Sequence, residues 1–189
     1  MRFGALLYPW DIAPDTTLLE QLHGEVGLDF VALWAVTGDR HLFRPQPAGG
    51  PHDWHTEGGW HYPPDAARYE TLELRPRAAR WVGRRHTLDD ARELCARLGL
   101  ELHLALEPSR VTALVERHPH VAARNAWGEP QRTACVMQPA LRELLRSTFE
   151  ELSAFEPAAL VLGDWRPSAA APPALERHLP AAALAPICF

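Results

Sequence analysis

Residues 3–8, "FGALLY", are apolar at every second position on both faces of an extended chain, the pattern of a short strand buried in a parallel sheet. Asp15 or Thr16 then suits the N-cap of a helix whose apolar stripe is Leu18, Leu19, Leu22 and Val26, and Gly27 ends it. Residues 28–36, "LDFVALWAV", predict a second buried strand. A long irregular segment, 38–86, follows and is rich in Gly, Pro, His and Trp. Thr87 caps the next helix, with Asp89 and Asp90 in the first turn where the helix dipole favours negative charge. That helix runs through Leu94 and Leu98 to Gly99, and "LELHLALEP" is a third strand. A weaker helix over 109–117 leads into a loop at 118–138. Pro139 suits the first turn of a helix over 139–155, Pro157 breaks it, and "AALVLGDW" is the fourth strand.

Strands alternating with helices predict an α/β fold with a parallel sheet. An open doubly wound sheet and the first half of a β/α barrel both fit. The first strand runs into "LYPWDIAPD", which has no glycine, so the phosphate fingerprint of a dinucleotide fold is missing. The strands end instead in polar or aromatic groups: Trp10-Asp11, Trp34 to Thr37, Glu107, and Asp164-Trp165. A barrel's active face is built from such strand ends. Four strands cannot close a barrel of eight, so the expectation is a partial TIM-type barrel. It spans residues 1–166, with about four parallel strands, covering helices and the long loop at 38–86. An Ala/Pro-rich, truncated tail occupies 167–189. Exposed sheet edges would make self-association a route to completion.

Composition narrows the function. The 189 residues are 47% hydrophobic and 23% charged, with a formal charge of −5. All 19 basic residues are arginines scattered among acids, which gives no reason to expect nucleic acid or an anionic membrane. Three cysteines lie far apart and show neither a disulfide framework nor a CxxC metal site. No apolar run approaches the ~20 residues of a membrane span, and no leader pattern opens the chain, so the expected location is cytoplasmic.

Six segments together carry a resemblance. They are "YPWD" (8–11), "FRPQP" (43–47), "WHYPPDAARY" (60–69), "ERHPHVAARNAWGEP" (116–130), "LVLGDW" (160–165) and "ICF" (187–189). In this order the chain resembles bacterial glycoside-hydrolase-like β/α-barrel proteins of the family-10-like group. The resemblance implies the N-terminal half of a TIM barrel, hydrolytic toward carbohydrate when completed by a second half. Relatives place an acid earlier in the fourth strand end, whereas here Asp164 is the nearest carboxylate.

Glycoside hydrolysis needs two carboxylates flanking the bond, one as acid and one as base or nucleophile. Asp11, Glu107 and Asp164 are the candidates, and capping a helix or pairing with arginine is an equally good role for such acids. Sugars stack their C–H faces on indoles, which makes Trp10, Trp34, Trp60 and Trp127 candidate ligand contacts. Arg44, Arg124 and Asn125 would bind hydroxyls, although "RNAWGEP" also reads as a tight turn around Gly128. Trp54 and Trp81 are assigned to loop packing, and His103 to the core. "HDWHTEGGWH" offers His52, His55, Glu57 and His61 but matches no metalloenzyme signature, so neither metal nor cofactor is expected. Two alternatives stand beside the hydrolase reading. One is a non-catalytic, carbohydrate-binding or self-associating half-barrel. The other is a metal-dependent sugar isomerase using the histidine-rich loop.

Overall fold

A computed structural model describes residues 1–12, 17–43, 53–125 and 127–163. Four parallel strands form the centre: β1 (Gly4–Leu7), β2 (Phe30–Thr37), a strand at Glu101–Leu106 and one at Ala159–Leu162. Between them lie α1 (Leu18–Val26), the hairpin β3 (Arg40–Phe43) with β4 (Asp53–Thr56), and β5 (Gly59–Trp60). These are followed by α2 (Thr87–Leu98), after which Glu101–Leu106 is β6. Then come α3 (Thr112–Arg117), the hairpin β7 (Ala122–Arg124) with β8 (Pro130–Ala134), and α4 (Pro139–Ser153), leaving Ala159–Leu162 as β9. The α/β expectation with about four parallel strands and covering helices therefore holds.

Sheet order is β1-β2-β6-β9, so each crossover moves one strand in the same direction. Because such crossovers are right-handed, every helix they carry falls on the same face. The core reflects this. Leu7, Leu33 and Leu104 share one row of the register and pack with Leu19 of α1, Leu88 and Cys95 of α2, and Leu144 of α4. Leu6, Ala32 and His103 form the alternate row, on the opposite face, and take no part in that core.

Local signals act where they were expected, with some corrections. Gly27 (φ 72°) and Gly99 (φ 69°) end α1 and α2 in the left-handed conformation that glycine adopts without a Cβ clash. Pro139 lies in the first turn of α4. Thr17, not Asp15 or Thr16, precedes α1, and residues 13–16 lie outside the described ones. His86 takes the N-cap position of α2, because the Thr87 hydroxyl is used on the His61 carbonyl. Residues 118–138 hold the β7–β8 hairpin where a plain loop was expected, and Cys135 beside it is disulfide-bonded, contrary to the spacing argument.

Residues 62–69 of the long segment are anchored on α4 by a buried carboxylate. Glu151 of α4 is buried and accepts from the Tyr62 hydroxyl at 2.8 Å, the Tyr69 hydroxyl at 2.5 Å and the Asp65 N–H at 2.6 Å. Burial, and after it the Glu151 carboxylate and the neighbouring phenol, push Tyr62 and Tyr69 well above the ordinary tyrosine range, so both stay protonated donors. Among the described residues no helix is long and apolar enough to cross a membrane.

Candidate functional site

The carboxyl ends of β1, β2 and β6 meet in one cluster. After β1 the chain turns through a short 3-10 segment, Pro9–Ile12. The Asp11 carboxylate accepts from the Tyr8 N–H at 3.0 Å, and the Asp11 N–H donates to the Tyr8 carbonyl at 2.9 Å. This closed turn fixes Tyr8, whose ring stacks on Trp10 at 4.5 Å with 6° between planes. Trp34 of β2 lies 6.5 Å from the Tyr8 ring on a 26° tilt. Trp10 in turn meets His61 and Trp81 edge-on, at 5.4 and 5.3 Å.

Charge enters from β3 and β6. Glu107 follows β6 directly, its N–H still bonded to the Val36 carbonyl at 2.9 Å, and its side chain is only 5% exposed. Arg40, the first residue of β3, donates to that carboxylate. Burial opposes the charge on Arg40, yet its pKa is raised, because the Glu107 carboxylate and the Tyr8 hydroxyl together outweigh desolvation. The carboxylate is buried and the guanidinium half-buried. β9 reaches the same place through Gly163, whose N–H donates to the Leu106 carbonyl at 3.0 Å. A Cβ there would fall 2.5 Å from Trp34 Cη2 and 2.9 Å from Glu107 Cγ, so only glycine lets the two strands close over these side chains.

His61 completes the cluster. It follows β5, which is paired antiparallel to the end of β2 with Trp60 opposite Val36. Its Nε2 lies 2.8 Å from the Thr37 Oγ1, and its Nδ1, though buried, has no hydrogen-bond partner among the described residues. Burial, and secondarily Arg40, push its pKa down to about 3, so the imidazole is neutral at ordinary pH.

The sequence-derived candidates divide accordingly. Trp10, Trp34, Asp11 and Glu107 come together at the strand ends. Trp60 is wholly enclosed in the core and presents no surface to a ligand, because β5 pairs with the end of β2 and holds it there. Arg124, Asn125 and Trp127 belong to the β7–β8 turn. Asn125 Oδ1 accepts from the N–H groups of Trp127 and Glu129, its amide donates to Glu129, and Arg124 donates to the Gly128 carbonyl. Their polar groups are thus used in the turn, while the Trp127 ring stays half exposed. Arg44, Asp164 and His52 lie outside the described residues. The rest of the histidine-rich loop disperses: His55 is exposed on β4, Glu57 pairs with Arg80 at 3.2 Å, and His61 turns inward. Among the described residues no three His, Cys, Asp or Glu side chains are grouped to hold a metal.

Arg40, Tyr8 and Trp81 join the site without having been singled out for it. Tyr8 stood in "YPWD", but nothing local marks Arg40, whose partner is 67 residues away. Chemically the cluster brings a carboxylate acceptor, a guanidinium donor set, a neutral imidazole and stacked aromatic rings together at the strand ends. No protein-family model, curated protein or solved structure matches the chain.

Proposed function

We propose that this chain is a carbohydrate-binding half of a β/α barrel of the glycoside-hydrolase-like type, holding sugar at the strand ends around Arg40 and Glu107. Sequential strand order with one-sided helices is what a barrel half requires, since a doubly wound sheet carries helices on both faces. The observation that carries the ligand class is the enclosed Arg40–Glu107 pair beside the Tyr8, Trp10 and Trp34 rings. Charged donors and acceptors next to flat apolar faces match a sugar's hydroxyls and C–H faces, and charge-assisted hydrogen bonds are about twice as strong as neutral ones.

The proposed activity is binding. Bond cleavage needs a second carboxylate across the scissile bond from Glu107. The Asp11 carboxylate is held by the Tyr8 N–H in the turn, a role that fixes the rim rather than attacks a substrate. Screening the chain against a glycan array, then titrating hits by tryptophan fluorescence, tests the reading. Saturable binding that weakens at least tenfold in Arg40→Met supports it. Failure to bind any glycan, or binding unchanged in Arg40→Met, overturns it.

A further inference from the structure

We infer that Cys135 is disulfide-bonded to Cys188, which fastens the C-terminal segment to the carboxyl end of the sheet and suits the chain to an oxidising compartment. The inference goes beyond the sugar-binding reading and does not depend on it.

Elimination identifies the partner. The sequence holds three cysteines, Cys95, Cys135 and Cys188. Cys135 is disulfide-bonded, whereas Cys95 is a free, buried thiol. Cys188 lies outside the described residues, and it alone remains to pair with Cys135 within the chain. Chemistry also keeps Cys95 out of any exchange. It faces the core from α2, and burial pushes its pKa up to about 11, which leaves almost none of the thiolate that attacks disulfides.

The position of Cys135 gives the bond its consequence. Cys135 is buried, donates its N–H to the Val121 carbonyl at 2.8 Å and accepts from the Gln138 N–H at 3.0 Å. This holds it between β8 and Pro139, the first residue of α4. Because β6 and β9 are parallel, α4 carries the chain from the carboxyl end of one toward the amino end of the other. Cys135 therefore lies toward the carboxyl end of the sheet, where β8 also packs against Pro108–Arg110, the turn that follows Glu107. β9 ends at the same level, with the Gly163 N–H on the Leu106 carbonyl. A bond between Cys135 and Cys188 returns the C-terminus to the end of the sheet from which the chain leaves at Gly163. The intervening sequence is poor in groups that burial could stabilise. Residues 164–187 hold five prolines and, beyond Trp165, only Leu175, Leu179, Leu184 and Ile187 as large apolar side chains. A crosslink acts on the unfolded chain instead, by removing conformations it could otherwise explore.

Formation is a thiol–disulfide exchange with a small-molecule disulfide such as oxidised glutathione. One chain thiolate attacks that disulfide and expels one small thiolate, and the second chain thiolate attacks the mixed disulfide and expels the other. The two chain thiols lose two electrons and two protons, and the small disulfide becomes two thiols. Such bonds persist in secreted and periplasmic settings and are rare in a reducing cytosol, so this reading departs from the cytoplasmic expectation.

The test equilibrates the full chain with a mixture of oxidised and reduced glutathione matched to a secretory compartment. Free thiols are then trapped with N-ethylmaleimide in denaturant, and tryptic peptides are mapped by mass spectrometry without reduction. Trypsin places Cys95 in 93–97, Cys135 in 133–142 and Cys188 in 178–189. The expected result is 133–142 linked to 178–189, lighter than their sum by the hydrogens lost in forming the bond, with the label on 93–97. The chain should also run as a monomer on a non-reducing gel. Brief trypsin cutting after Arg177 gives a second readout. Residues 178–189 should stay attached until reductant is added, and leave at once from Cys188→Ser. Labelled 133–142, a link from 133–142 to 93–97, a link found only in covalent dimers, or release of 178–189 without reductant would each overturn the inference.

Discussion

Removing the Arg40 cation while leaving its partner in place is the sharpest perturbation of the strand-end cluster. The two side chains are 21% and 5% exposed, which sets the pair close to the buried limit. Exposed ion pairs contribute about 0–1 kcal/mol, whereas stripping one partner from a buried pair costs about 3–5 kcal/mol because the remaining charge is stranded. Arg40 keeps some solvent, so Arg40→Met is expected to cost about 2–4 kcal/mol. Glu107→Gln retains a hydrogen-bonding group of the same shape and is expected to cost about 1–2 kcal/mol. In the double variant no stranded carboxylate remains, so the losses do not add, and the coupling energy is about 1–3 kcal/mol. Urea unfolding followed by tryptophan fluorescence at neutral pH measures all three, and added salt should change the coupling little because the pair is shielded from ions. A cost below about 0.5 kcal/mol for Arg40→Met, with no coupling to Glu107→Gln, would refute the claim of an enclosed, interdependent pair.

Other consequences are open to equally direct checks. Glu151→Leu leaves two phenols and an N–H without their shared acceptor and should destabilise the chain by roughly 3–5 kcal/mol, against about 1 kcal/mol for Tyr62→Phe, in the same unfolding assay. His61 has a folded pKa of about 3, below its unfolded value, so its contribution is complete above about pH 6.5 and is lost as pH falls toward 3. Stability should drop there by about 1.4 kcal/mol per pH unit from this group, a component that His61→Gln removes in parallel pH–stability curves. Gly163→Ala drives a methyl into Trp34 and Glu107 and should cost about 1–3 kcal/mol, read as a lowered melting temperature. Asn125→Ala releases two backbone N–H groups of the β7–β8 turn and should speed proteolysis there while leaving global unfolding nearly unchanged.

What could be read along the chain was what depends on near neighbours. Buried strands announced themselves by continuous apolar runs, as in 28–36, and helices by stripes such as Leu141, Leu144, Leu145 and Leu152 closed by glycine or opened by proline. The placement of Trp10 and Glu107 at strand ends followed from the same reasoning. What escaped depends on partners far apart in sequence. Arg40 reads as one more surface arginine until β3 brings it to Glu107, and Glu151 reads as an exposed helix acid until Tyr62 and Tyr69 arrive from 89 and 82 residues away. Trp60 reads as a ligand contact because aromatic residues in a polar loop suggest one, but pairing of the two-residue β5 with the end of β2 places its side chain in the core. Asn125 shows the converse: its turn chemistry was visible in "RNAWGEP", and the hydrogen bonds follow it.

Isothermal titration calorimetry of the full chain with a glycan identified on the array, repeated on Glu107→Gln, tests the central claim most directly. The account predicts saturable, exothermic binding for the wild-type chain and at least a tenfold weaker affinity for the variant. Equal affinity in the two proteins would contradict it, because binding would then not involve Glu107 at the strand ends.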